Sequence, residues 1–167
     1  MRYGRLWVCG LIVVLASTGF ALADRAVNET RSASPNAEVS IEIFAGSVTV
    51  TAWDESRVSV EGTIGDDVEG LEVDGEGDEI EISVEVPEHS KGDLDLSAKL
   101  EIMVPRGARL EVESLSADVT VTGVSAEVEV EVVSGDVTVE GPVSAVELEV
   151  VRGDIEAGSL WIVRKRG

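Results

Sequence analysis

The residues of this 167-residue chain best suited to chemistry are carboxylates, and they recur at a fixed spacing. Glu111, Glu129 and Glu147 lie 18 residues apart, and so do Glu113, Glu131 and Glu149. A third set, Asp118, Asp136 and Asp154, repeats at the same period within "SAD", "SGD" and "RGD". Acids in rows can collect divalent cations or dock a basic partner, and they can also be a solvated face that keeps the chain soluble. Two carboxylates about 5 Å apart in water repel by only ~0.8 kcal/mol, less in salt, so exposed rows are tolerable. The Asp set also suits a turn, because a preceding Gly permits positive φ and the carboxylate can accept hydrogen bonds from nearby backbone amides. Weak calcium binding at Asp118, Asp136 and Asp154 is a further use of such a row, although the glycine-rich nonapeptide of calcium-binding β-rolls is missing.

Catalysis lacks its parts. His89 and Cys9 are the sole histidine and cysteine, so neither a zinc site nor a histidine-dependent triad can be assembled. A pair of carboxylates could cleave a polysaccharide, but an acid and a base need unlike environments that push their pKa values apart. Here the acids repeat with the chain, which marks them as scaffold surface. The expectation is a chain without enzymatic activity and without a firm cofactor. Arg152-Gly153-Asp154 spells the tripeptide that integrins read. It stands where Ser134-Gly135-Asp136 and Ser116-Ala117-Asp118 stand one and two periods earlier, so it is expected to be the turn of a repeat.

The elements that must position these acids follow from the same period. "LEVESLSADVTVTGVSAE" from Leu110, "VEVEVVSGDVTVEGPVSA" from Val128 and "VELEVVRGDIEAGSLWIV" from Val146 align without a gap. The first two share nine of 18 positions and the last two seven, too many for chance. An earlier piece, "AGSVTVT" from Ala45, matches "SADVTVT" from Ser116. Within and before the repeats, "EVSIEI", "RVSVEGTI", "EIEISVEV" and "KLEIMV" place Val, Ile or Leu at every second position, the mark of strands with one buried face. "GDDVEG", "DGEGDE", Pro87 and Pro105 read as turns, and no window shows helical spacing.

The expected fold is all-β, a single-stranded β-solenoid of 18-residue rungs over residues 37–163, because each short rung buries its apolar side only when stacked on the next at about 4.8 Å. Leu110, Val128 and Val146 would form one inward column, Val112, Val130 and Leu148 a second, and Val119, Val137 and Ile155 a third. Aliphatic columns suit a chain with 4% aromatic residues. An antiparallel β-sandwich is the alternative, above all for residues 37–105.

Residues 1–23 have a basic start, an apolar run from Leu6 and the small residues Ala21 and Ala23, the layout of a secretory signal peptide. An uncleaved membrane anchor is the competing reading. Cys9 sits inside that run, so the exported chain would have neither disulfide nor thiolate metal site, nor a membrane span. Residues 24–36 are polar and aperiodic, the expected flexible leader. With 13 Lys and Arg against 33 Asp and Glu, the formal net charge of −20 repels phosphates and excludes a nucleic-acid partner. The chain ends on "SLWIVRKRG", with residues 164–167 a basic tail beyond the last rung. That end either blunts an open sheet edge or leaves it free to pair with another chain.

Three segments carry a resemblance: the "VTAWD" strand end at Val50 to Asp54, "MVPRGARLEV" from Met103 to Val112, and the repeated "SGDV" turns. Over roughly Ala37 to Gly158 the sequence resembles the bacterial adhesin-like family built on domain of unknown function 4097. The resemblance implies an exported protein of the periplasm or cell surface with a β-solenoid-like repeat and a non-catalytic binding or scaffolding role. It brings no catalytic residues. The ligand-facing candidates are therefore Glu111, Glu113, Glu129, Glu131, Glu147 and Glu149, with self-association through the C-terminal edge as the alternative.

Overall fold

Val, Ile and Leu at alternate positions, separated by acids, Ser and Thr, favour extended backbone with one apolar side. The computed structural model describes residues 25–87, 94–158 and 163–164, and over these the chain is all-β, with no helix. The strands are β1 (Arg25–Trp53), β2 (Arg57–Ile64), β3 (Gly70–Glu85), β4 (Ser97–Pro105), β5 (Arg109–Thr122), β6 (Glu127–Ser134), β7 (Val137–Glu140), β8 (Ala145–Arg152), β9 (Ile155–Ala157) and β10 (Val163–Arg164). They join in one mixed sheet. The expected signal peptide with Cys9, the stretch holding His89, and all of the C-terminal segment from Ser159 except Val163 and Arg164 lie outside the described residues.

β5 displays the local logic. Leu110, Val112 and Ser114 are buried on a first arm, the chain turns a corner near Ala117, and Val119 and Val121 are buried on a second arm. β6 with β7, and β8 with β9, repeat this two-arm layout, the corner now falling at Gly135-Asp136 and Gly153-Asp154. The three copies pair in parallel at a register of 18 residues. Leu110 lies beside Val128 and Val128 beside Val146; Val112, Val130 and Leu148 form the next row, and Val119, Val137 and Ile155 one on the second arm. The three inward columns expected from the repeat are thus side by side. Among the described residues the buried apolar side chains are Ala, Val, Ile and Leu with Pro105, and no aromatic, which keeps the interior thin.

At the corners the backbones come close. Gly135 and Gly153 hold φ near +146° and +143°, and a Cβ on either would run into the backbone carbonyl one rung below, that of Ala117 or Gly135. Glycine is required there by both conformation and space.

Order in space departs from order in the chain. β1 lies against β5 on one side, Val39 beside Leu110 and Val48 beside Val119, so "AGSVTVT" sits directly beside "SADVTVT". On its other side β1 pairs in parallel with β3 through Glu38 to Glu42 and with β4 through Ala45 to Trp53. β3 thus lies along the middle of β1 and β4 along its end, and residues 86–96 separate the two. Beyond them β2 pairs antiparallel with β4, and the start of β1 antiparallel with β2.

Two expectations need correction. Arg25 to Asn36 is no flexible leader: it belongs to β1, and Arg25 to Ser32 pair residue by residue with Ile64 to Arg57. The backbone ladder asks nothing of side-chain periodicity, and Arg25 adds hydrogen bonds of 3.0 Å to the carbonyls of Val68 and Glu69. "DGEGDE" is not a turn between strands but a kink inside β3. Gly75 and Gly77 take φ near +83° and +78°, and the pairing with β1 shifts register between Ala33 and Glu38. What β1 to β4 form is a mixed sheet, in part the antiparallel pairing of the alternative for residues 37–105: β2 pairs antiparallel with β4 and with the start of β1, and β3 and β4 pair in parallel with β1.

Candidate binding face

The outward side chains of the first arm are the acids singled out by their spacing. Glu111, Glu129 and Glu147 lie in one row, and the row continues through Ser40 to Glu81. Glu113, Glu131 and Glu149 lie in the next, where Glu42 on β1 extends them. Glu42 was missed by reasoning in steps of 18, though "IEIF" could have been laid against "VESL" by extending the match at Ala45 backwards. Glu129, in the middle of its row, has its carboxyl held above the ordinary 4.5. Partial burial contributes most, followed by repulsion from Glu111, Glu147, Glu131 and Glu127. At the margin of the face Arg109 pairs with Glu127 at 2.9 Å.

The Asp row is put to a different use. The Asp118 carboxylate accepts a hydrogen bond from the backbone N–H of Asp136 at 2.9 Å, and the Asp136 carboxylate accepts one from the N–H of Asp154 at 2.8 Å. Each acid thus stitches its corner to the next rung instead of closing its own turn. Arg152-Gly153-Asp154 is the third corner of this row. Among the described residues no three His, Cys, Asp or Glu side chains are placed to hold one metal ion. Row geometry spreads acids along a line, whereas a hard cation needs six or more oxygens around a point.

Next to the second acidic row lies an apolar one that sequence reasoning overlooked. Phe44, Leu115, Val133 and Val151 occupy the same outward register position on β1, β5, β6 and β8, and they are 37%, 45%, 47% and 50% exposed. The signal was available: alternation carries Leu115 outward after Glu111 and Glu113, and Val133 after Glu129 and Glu131. These side chains and their acidic neighbours border a groove of about 310 Å³, closed at one end by Val84 and Val86. Ser114 also borders it, but its Oγ is buried on the inward side in phase with Leu110 and Val112. The outward side of the second arm is different again: Thr49, Thr120 and Thr138 share a row there, as do Thr51 and Thr122.

No protein-family model and no curated protein matches the chain. Among solved structures, a candidate cell adhesion protein from Clostridium sporogenes is similar at TM-score 0.44 and 11% identity, with 84% of this chain and 99% of that one covered. A candidate adhesin from Bacteroides fragilis is similar at TM-score 0.31 and 8% identity, over 89% of this chain and 100% of that one. A third, from Parabacteroides distasonis, has TM-score 0.30 and 11% identity, over 87% and 94% of the two chains. These are remote likenesses.

Proposed function

We propose that the chain is an exported envelope domain of the adhesin-like kind, a short β-solenoid that binds or scaffolds and does no catalysis. One observation carries this reading: the outward residues repeat with the fold, as Glu42, Glu113, Glu131 and Glu149 do along four neighbouring strands. A face that is the same from rung to rung suits an extended or repetitive ligand. A catalytic site would need unlike residues converging on one point. Changing Glu129, Glu131, Glu147 and Glu149 together to Lys is expected to abolish retention of the protein on immobilised bacterial envelope fragments, with the circular dichroism spectrum unchanged. Undiminished retention would rule out the acidic face as the binding surface.

A second reading rests on the sheet ends. Among the described residues β10 is the last strand of its row, paired with β8, and β9 pairs with β7. Strand edges of this kind can take up another chain. Self-assembly through this end predicts oligomers in sedimentation that disappear when residues 160–167 are deleted; a monomer at high concentration refutes it.

A further inference from the structure

We infer that the groove beside the second acidic row docks a short extended segment of a partner protein that carries Lys or Arg next to aliphatic side chains. The inference rests on the binding reading above and names the partner chemistry for one part of the face. Single exposed aliphatic residues are ordinary. Phe44, Leu115, Val133 and Val151 are not single: at strand spacing they form a continuous strip roughly 14 Å long, the reach of about four extended residues. An apolar strip of that shape gains by being covered.

Two features choose the occupant. Glu42, Glu113 and Glu131 run along the whole side of the strip, so a segment lying on it brings its own flanking side chains over carboxylates, and cations are favoured there. The net charge of −20 opposes a second copy of this chain and an anionic lipid surface alike.

The probe is a fluorescently labelled, end-capped (Lys-Leu)3 peptide, titrated with the protein at about 0.15 M salt, where long-range attraction is screened. It is expected to bind about tenfold or more tightly than (Lys-Ser)3 or (Glu-Leu)3. In Leu115→Ser/Val133→Ser, both surface changes, affinity for (Lys-Leu)3 is expected to fall about tenfold while that for (Lys-Ser)3 stays as it was. Equal affinity for (Lys-Leu)3 and (Lys-Ser)3, no effect of the double variant, or no binding at all would each overturn the inference. Dimers of the unaltered protein that vanish in the double variant would also overturn it, by making the strip a contact between copies. Envelope retention separates the two readings: loss on charge reversal with no peptide binding removes the groove alone, and peptide binding with retention unchanged removes the envelope role alone.

Discussion

At Asp136 and Glu129 the same kind of side chain does opposite things to stability. The Asp136 carboxylate accepts the Asp154 N–H, so Asp136→Ala should cost about 1 kcal/mol in urea unfolding, and Asp136→Asn, which keeps an acceptor oxygen, should recover most of it. Glu129 is raised by partial burial and by four neighbouring acids, which means its charged form is disfavoured by folding. A group raised in the folded state contributes stability below its unfolded pKa and withdraws it as pH rises through the folded value. Glu129→Gln should therefore be more stable than the parent at pH 7, and the difference should vanish below about pH 4, where both states are protonated. A gain that persists at low pH would mean packing, not charge. The acids themselves were legible because period and alternation together assign each one a row and a side. Their different roles were not, since whether a carboxylate meets an amide or another carboxylate depends on how closely the rungs approach at the corner.

The corner decides the repeat as an element. Gly135→Ala would place a methyl group against the Ala117 carbonyl in a backbone region that L-residues avoid, and a loss of about 2–3 kcal/mol in unfolding free energy is expected. Arg152→Ser restores the residue that the repeat has at Ser134 and Ser116, and it should change stability by less than about 0.5 kcal/mol and leave cell attachment unaltered. Attachment that falls with Arg152→Ser would give the tripeptide a meaning beyond its turn. The gapless repeat made the register of β5 to β9 readable, because a constant period fixes register without knowledge of the turn. The leading part of β1 was unreadable for the converse reason. Its residues Arg25 to Ser32 are held by main-chain bonds to β2, with Val27 and Arg31 half-buried and the others exposed, so no hydrophobic pattern marks it.

For the molecule as a whole, what matters is where β1 sits. A strand gains most of its stability from the strands it pairs with, so one paired along both edges is held more firmly than one at an end. β1 has β3 and β4 on one side and β5 on the other, although β3 and β4 follow it in the chain and separate it from β5. Nothing in alternation or period states that order, because both describe a strand's faces and not which strand lies beyond its edge. It has a measurable consequence. Leu110 packs in a row between Val39 and Val128 in the middle of the stack, and Leu148 in the same inward arm lies toward the end, beside Val130 and Val163. Leu110→Ala is expected to cost about 3–5 kcal/mol in global unfolding and to lower the whole transition. Leu148→Ala should cost less, about 2–3 kcal/mol, and should chiefly speed hydrogen exchange in β8 and β9 while the amides of β1 and β5 stay protected. Opening from the C-terminal end requires that gradient. Equal exchange across β1, β5 and β8 in the Leu148→Ala protein would show that the rungs unfold as one block and that the position of β1 confers no local advantage.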